Sequence, residues 1–131
     1  IVMCGRTAGD VSSGTFVMNS VLYNNKSMYN SGNGRFTAPT GYPGFYQLTI
    51  QSLHTNTYRG TNTRWYKNGV IHNWGALHNN FKSLDLHHPS FCSVQIVYLA
   101  EGDYMDLRVI TASLYGGSTI HNNATCQFLC H

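Results

Sequence analysis

The segment from Gly34 to Gln51 constrains the fold of this chain more than any other. It holds Gly34–Pro39 (Gly-Arg-Phe-Thr-Ala-Pro), a short spacer, and then Gly44–Ile50 (Gly-Phe-Tyr-Gln-Leu-Thr-Ile). The first part reads as a short strand followed by a Gly/Pro turn, and the second as a long strand in which apolar and polar residues alternate. One face of the long strand is apolar and carries Tyr46, Leu48 and Ile50, and the other carries Gln47, Thr49 and Gln51.

The rest of the chain predicts the same class of structure, because β-branched and aromatic runs alternate with turn residues and no helical period is sustained. The dipeptide Asn68-Gly69 predicts a two-residue hairpin, since type I′ turns need positive φ at both positions. We therefore predict an all-β fold, an antiparallel sandwich of about ten strands in one domain over residues 1–131. The candidate strands are Ile1–Cys4, Thr15–Tyr23, Gly34–Thr37, Phe45–His54, Thr61–Lys67, Val70–Trp74, Phe91–Leu99, Tyr104–Ala112 and Thr125–Leu129.

The composition limits the classes of partner that this chain is expected to bind. Only 10% of the 131 residues are charged, against roughly 25% in average soluble domains. The eight basic residues are scattered, so the clustered basic stripe of a nucleic-acid-binding protein is missing. No apolar run approaches the ~20 residues that cross a bilayer. A surface built from neutral hydrogen-bonding groups suits a neutral, hydroxyl-rich ligand.

The four cysteines, at positions 4, 92, 126 and 130, favour disulfides and secretion. Their spacing does not fit a zinc site, because Cys126 and Cys130 have no second close pair. Three pairings are open from the residues alone. Sequons at Asn25 and Asn123 would accept a glycan on the secretory route.

Several motifs follow one another in a fixed order along nearly the whole chain. They are Ile1–Cys4, the spaced residues Val21, Asn24 and Tyr29, Gly34–Pro39, the Lys-Asn-Gly hairpin of 67–69, the Gly-Asp turn within Val97–Met105, and Phe128-Leu129. This order resembles the globular head family of complement component 1q, which is related to the tumour necrosis factor fold. The resemblance implies a β jelly roll acting as a trimeric, secreted recognition module. No collagen-like stalk accompanies it, which favours a stand-alone soluble member.

The same resemblance implies a disulfide pairing and a subunit interface. The first and last strands of such jelly rolls are neighbours, so Cys4 is expected to pair with Cys130, which leaves Cys92 for Cys126. Around the Gly-Asp turn, alternation places Val97, Leu99, Met105 and Leu107 in the core. The opposite face keeps Ile96, Tyr98 and Tyr104, and the two tyrosines are the predicted trimer anchors. The alternative is a tyrosine at the edge of its own core with its hydroxyl in water.

Enzyme motifs are missing from the sequence. It has five acids and contains no nucleophile elbow, nucleotide-binding loop, His-Glu-x-x-His or Cys-x-x-Cys. We therefore predict no catalytic activity.

The run from His72 to Asn80, which we expect to form an exposed loop after the hairpin, is the best candidate for a binding site. Imidazole, amide and indole groups are those that hold a sugar, by hydrogen bonds to its hydroxyls and stacking against its C–H face. An Arg would add recognition of a carboxylate. In the alternative interpretation Trp74 is a core residue, and the polar residues of the run are ordinary loop residues without a binding role. The predicted glycan-binding residues are Tyr58, Arg59, Arg64, His72, Trp74, His78 and Asn79.

The sequence also contains two candidate metal sites. His87 and His88 could bind a soft divalent metal together with His72 or His78. The family resemblance adds a weak calcium site at Asp103 and Asp106, without the dense carboxylates of a tight one. No other cofactor is predicted.

The sequence as a whole predicts a secreted, trimeric, lectin-like module that recognises glycans on cell or microbial surfaces in innate immunity. The alternative is a receptor-binding or extracellular-matrix protein of the same fold, whose partner is a protein. Binding of a sugar distinguishes the two.

Overall fold

The computed structural model of this protein describes residues 1–53, 60–79, 90–111, 114, 117 and 122–131. Within them the chain forms eleven strands and one short 3-10 turn at Asn25–Ser27. The strands are β1 (Val2–Gly5), β2 (Gly14–Thr15), β3 (Ser20–Asn24), β4 (Tyr29–Asn30), β5 (Arg35–Thr37), β6 (Gly44–Leu53), β7 (Gly60–Lys67), β8 (Val70–Asn79), β9 (Ser90–Leu99), β10 (Tyr104–Thr111) and β11 (Asn123–Cys130). No helix in this part of the chain is long and apolar enough to span a bilayer.

The strands build two antiparallel sheets. The five-stranded sheet has the order β3-β1-β11-β6-β9, and the six-stranded sheet has the order β4-β5-β10-β7-β8 with β2 paired to β10. Strands distant in sequence are neighbours in each sheet, as in a jelly roll, where the connections cross from one sheet to the other. The all-β sandwich that the sequence predicts is thereby confirmed.

The core lies between the sheets and is filled by the alternating inward residues of both. Tyr46, Leu48 and Ile50 are buried along β6, as their spacing predicts. Facing residues of β9 and β10 complete the layer, among them the four that alternation assigned to the core: Val97, Leu99, Met105 and Leu107. Trp65 lies fully buried at the centre, and its indole N–H donates to the Ser93 hydroxyl of the other sheet at 2.9 Å.

The Asn68-Gly69 hairpin forms as predicted. Asn68 has φ 50° and Gly69 has φ 80°, the positive pair of a type I′ turn, and Lys67 pairs with Val70 across it. The turn is also tied to the next one, since the Asn68 side-chain amide accepts from the Tyr104 N–H at 2.9 Å.

One predicted strand is divided in the structure. The run predicted as one strand from Thr15 to Tyr23 is two strands on different sheets, because β2 pairs with β10 whereas β3 pairs with β1. The residues between them pass from one sheet to the other and bury Phe16 and Met18. Alternation alone could not reveal this, since the buried face is apolar on either sheet.

The structure contains neither expected disulfide, and all four cysteines are free thiols. Cys4 lies opposite Ala124 on β11, six residues from Cys130, which is about 20 Å along a strand. A disulfide requires Cα atoms within about 7 Å, so this pairing is excluded by the register. Cys92 is exposed on β9 whereas Cys126 is buried in the core, so these two lie on opposite faces of their sheet.

Cys4 and Cys126 instead lie inward on neighbouring strands. Val2 pairs with Cys126 and Cys4 with Ala124, so the two thiols are diagonal neighbours in the core. The pKa of each thiol is raised to about 12, mainly by burial, with a smaller contribution from Cys126 in the case of Cys4. Both thiols are therefore protonated at neutral pH and pack as small apolar groups.

Candidate functional site

The predicted sugar-binding loop is a strand. Residues 70–79 form β8, which pairs with β7 along its whole length, so the expectation of an exposed loop is wrong for His72 to Asn79. The polar residues of this run are compatible with a strand because β8 is at the edge of its sheet, where one side meets solvent. Bulges opposite 63–64 and 65–66 of β7 add residues to β8 and shift its alternation.

The register decides which predicted residues come together. Arg64 is the backbone partner of Trp74, while His78 pairs with Thr61 and Asn79 with Gly60. His72 is the extra residue of the bulge opposite Trp65 and Tyr66, and it is exposed. His72 and Asn79 are separated by about 23 Å of strand, so one sugar cannot contact both. The predicted site is therefore divided, and the described side chains of His72 and Arg64 lie at its hairpin end.

Four of the named residues lie outside the described part of the chain. These are Tyr58 and Arg59 of the predicted glycan site, and His87 and His88 of the predicted metal site. Among the described residues no group of three or more His, Cys, Asp or Glu could hold a metal ion.

The outward face of the six-stranded sheet carries a set of stacked arginines and tyrosines that the sequence reading missed. The Arg35 guanidinium lies 4.0 Å from the centre of the Tyr104 ring, and that of Arg108 lies 4.0 Å from the centre of the Tyr66 ring. Arg64 is the direct cross-strand partner of Arg108. We call these five residues the arginine–tyrosine face. The available signal was the alternation Arg64-x-Tyr66 and Tyr104-x-Asp106-x-Arg108, which places each set on one face of its strand.

Asp106 holds the arginine–tyrosine face in place. It accepts from Arg108 through both carboxylate oxygens, at 2.8 Å from Nε and 3.2 Å from Nη2, and is itself only 1% exposed. A buried carboxylate needs such a partner, because an unpaired one would be strongly destabilising. The same contact raises the pKa of Arg108, which keeps its charge.

Asp103 closes the turn between β9 and β10. One of its oxygens accepts from the Asn68 side-chain amide at 2.7 Å, and the other accepts from the Ala100 N–H at 3.0 Å and lies 3.1 Å from the Lys67 ammonium. The hydrogen bond from Asn68 is the main reason that the pKa of Asp103 lies below its usual value. Asp103 and Asp106 thus each have protein partners of their own and do not converge on a shared position, as the predicted calcium site requires.

Replacing Asp103 with Asn is expected to lower the free energy of unfolding by about 1–2 kcal/mol at pH 7, because it removes charge-assisted hydrogen bonds at the turn. A carboxyl whose pKa is depressed by folding contributes above its unfolded pKa, near 3.9, and the contribution is lost as pH falls through the folded value. Urea unfolding from pH 7 to 2 measures this. The difference between the two proteins should be constant above about pH 5 and shrink below about pH 4; a constant difference throughout would contradict it.

The two predicted interface tyrosines do not share a face. Tyr98 is on β9 in the five-stranded sheet, 47% exposed, and Tyr104 is on β10 in the other sheet beneath Arg35. The short connection from Leu99 to Tyr104 crosses between the sheets, because β9 pairs with β6 whereas β10 pairs with β7. The structure therefore separates Tyr104 from the surface on which Tyr98 lies.

A shallow groove lies at the end of the sandwich where β1 begins and β11 ends. It has a volume of about 240 Å³ and is lined by Ile1, Asn25, Lys26, Met28, Pro39, Tyr42, Tyr46 and Phe128. The lining is mainly apolar and aromatic, and the Lys26 ammonium covers the Tyr42 ring at 4.7 Å. The groove shares no residue with the arginine–tyrosine face.

Comparisons with known proteins match the fold. A scan against protein-family models finds no match, and a search of curated protein sequences finds no significant one. Among solved structures, the globular domain of zebrafish complement 1qA protein has a TM-score of 0.72 at 13% identity, covering 98% of this chain and 95% of that one. The structure of murine APRIL at pH 8.5 has a TM-score of 0.68 at 12% identity, covering 98% of each chain. The structure of Eiger TNF from S. frugiperda has a TM-score of 0.66 at 12% identity, covering 98% of this chain and 91% of that one.

At such identities the likeness shows the fold alone. The chain has a jelly roll of the complement component 1q and tumour necrosis factor type, which is the fold that the ordered sequence motifs predict.

Proposed function

We propose that this chain is a secreted, non-catalytic recognition module that assembles as a homotrimer and binds glycans. One observation carries the proposal: the outward faces of the two sheets differ in chemistry. The face of the five-stranded sheet exposes a row of large apolar side chains, whereas the face of the six-stranded sheet is polar, aromatic and basic. One face suits self-association and the other suits a hydroxyl-rich ligand.

The apolar face supports assembly. Ile96 is 62% exposed and Tyr98 packs edge-on against Phe45, with ring centres 5.5 Å apart. The exposed apolar side chains of this sheet include Met3, Tyr23, Phe45, Val94, Ile96, Tyr98 and Leu129. An exposed apolar surface marks an interaction site, and three copies around a threefold axis would bury it while bringing three glycan sites together.

The hairpin end of β7 and β8 supports glycan binding. His72 and Asn73 are exposed there, Arg64 lies on the neighbouring strand, and Trp74 occupies the paired position. The Asn73 side-chain amide donates to Gln95 of β9 at 3.1 Å, which fixes this edge against the five-stranded sheet. Imidazole and guanidinium groups on a fixed edge provide the donors that sugar hydroxyls require. We propose that binding does not depend on calcium, because Asp103 and Asp106 are engaged by Asn68, Lys67 and Arg108.

A protein partner is the second candidate, and one observation favours it. Val70 and Ile71 are both largely exposed at the start of β8, beside the Asn68-Gly69 turn. Two apolar side chains at a hairpin tip can anchor a protein interface but offer a sugar little. If no glycan binds, this hairpin tip is the surface to test.

The proposal is tested on a glycan array probed with the whole protein, once with calcium and once with chelator. We expect a restricted set of bound glycans, unchanged by chelator, and weakened at least fivefold by His72→Ala. The matched control is His131→Ala, which removes an exposed histidine that follows β11 of the five-stranded sheet and lies against Pro43, and it should leave binding unchanged. An empty array at high protein concentration would overturn the glycan proposal. Loss of binding with chelator would restore the calcium site.

A further inference from the structure

We propose that the secreted chain carries an N-linked glycan on Asn25, that the first sugar of this glycan packs in the groove at the end of the sandwich, and that Asn123 stays unmodified. The sequence contains both acceptor triplets, Asn25–Ser27 and Asn123–Thr125, and does not distinguish them. The inference rests on the secretion in the proposed function, because the donor of N-linked glycans is found on the secretory route.

The modification joins a sugar to the side-chain amide of Asn25. A bond forms between Nδ2 of Asn25 and the anomeric carbon of an oligosaccharide carried on a lipid pyrophosphate. The bond from that carbon to the pyrophosphate oxygen breaks, the pyrophosphate leaves with the bonding electrons, and Nδ2 loses one proton. No group is oxidised or reduced. Because the donor is large and attached to a membrane, the place of each triplet in the fold decides whether the amide is reachable.

Asn25 lies in an exposed turn that its neighbour Asn24 closes. Asn25, Lys26 and Ser27 are all exposed and form the 3-10 turn after β3. The Asn24 side-chain amide donates to the Tyr29 carbonyl at 2.7 Å, and its side-chain oxygen accepts from the Tyr29 N–H at 2.9 Å. Lys26 and Ser27 have φ of 59° and 53°, the left-handed conformation that is typical of tight turns. A glycan on Asn25 therefore leaves the hydrogen bonds that close this turn in place.

Asn123 lies instead in a central strand. It is the first residue of β11, which has β1 on one side and β6 on the other, and it pairs with Gly5 and Gln51. Ala124 and Cys126 are buried, so the partly buried side chain of Asn123 lies on the outward face of the five-stranded sheet. A glycan on Asn123 would stand on the face that the proposed trimer buries.

The groove beside Asn25 has the size and the chemistry to hold one sugar. Asn25 is among its lining residues, so a sugar bonded to Nδ2 begins at the groove. The volume of about 240 Å³ lies below the roughly 300–1,000 Å³ of sites that enclose a drug-sized ligand. Tyr42 and Phe128 offer aromatic carbon to the C–H face of a sugar, and the Lys26 ammonium, 4.7 Å from the centre of the Tyr42 ring, offers a donor to its hydroxyls. The occupant of the groove is thus the glycan of the chain itself.

The first measurement is the intact mass of the whole chain, secreted from cultured animal cells behind an added signal peptide. We expect one N-linked glycan, which is removed by peptide-N-glycosidase and is lost in both Asn25→Gln and Ser27→Ala. Ser27→Ala keeps the asparagine, so loss of the glycan in this variant shows that the triplet is the acceptor. The matched control is Asn123→Gln, which should keep the whole mass of the glycan.

The second measurement tests the place of the first sugar. Endoglycosidase H trims a high-mannose glycan to that sugar, so trimmed protein is compared with Asn25→Gln at equal protein concentration. We expect the trimmed protein to have a midpoint of thermal unfolding about 2–4 °C higher. Tyr42→Ala should reduce this difference to less than half, because it removes an aromatic wall of the groove. Tyr98→Ala, an equal truncation on β9, should preserve the difference.

The outcomes separate this inference from the proposed function. A secreted protein without a glycan on Asn25, or with a second glycan on Asn123, overturns the inference, and so do equal unfolding midpoints of trimmed protein and Asn25→Gln. An apolar molecule retained by Asn25→Gln in native mass spectrometry also overturns it, since the groove would then hold a separate ligand. A glycan on Asn25 together with an empty glycan array would leave this inference standing and overturn the glycan-binding proposal.

Discussion

If the proposed trimer forms through the apolar face of the five-stranded sheet, Tyr98→Asp is expected to give a monomer that keeps its fold. Tyr98 projects from β9 beside Phe45 and is 47% exposed, so a smaller polar residue fits the isolated subunit. In the assembly the new carboxylate would be buried without a partner, and a cyclic trimer would contain three of them. The expected loss of self-association is at least a thousandfold, measured by sedimentation velocity over a range of protein concentrations.

The control for this variant is Val70→Asp, which places the same charge at an exposed apolar position on the hairpin tip of the other sheet. We expect it to remain a trimer. Far-ultraviolet circular dichroism must show the same strand content in both variants. If Tyr98→Asp stays trimeric, the apolar face of the five-stranded sheet is not the interface; if Val70→Asp also dissociates, the hairpin tip takes part in it.

The features that sequence predicts correctly are local ones. The Asn68-Gly69 turn depends on backbone preferences of two residues, and the buried faces of β6 and β9 depend on alternation within single strands. Each of these signals is complete within about ten residues. The order of the family motifs adds the jelly-roll topology, which no local pattern specifies.

The features that were missed depend on pairing between distant strands. Arg35, Arg64 and Arg108 become neighbours only because β10 pairs with both β5 and β7, which bridges more than seventy residues of sequence. The predicted Cys4–Cys130 disulfide failed for the same reason, since a shift along β11 separates the two residues although their strands are adjacent. The length of β8 was missed because its bulges interrupt the period on which strand prediction relies.

Trp65→Ala is expected to lower the free energy of unfolding by about 3–5 kcal/mol, a large part of the ~5–15 kcal/mol that stabilises a domain. Trp65 is fully buried and faces Leu107 across the strand pair, so its removal leaves a cavity in the middle of the sandwich. Urea unfolding should be followed by circular dichroism in the Tyr98→Asp background, because the stability of a trimer depends on concentration.

A double-mutant cycle measures how much the Trp65–Ser93 hydrogen bond contributes to the free energy of unfolding. Ser93→Ala leaves the buried indole N–H without its acceptor and should cost about 1–3 kcal/mol, while Trp65→Phe leaves the buried Ser93 hydroxyl without its donor. The double variant should cost less than the sum of the two, since neither orphan group remains. If the two costs simply add, Trp65 and Ser93 are not energetically coupled, and the hydrogen bond does not stabilise the contact between the sheets. Trp65 also lies between the outward residues Arg64 and Tyr66 of β7, so the core contact that this cycle measures fixes the strand on which the proposed glycan site is built.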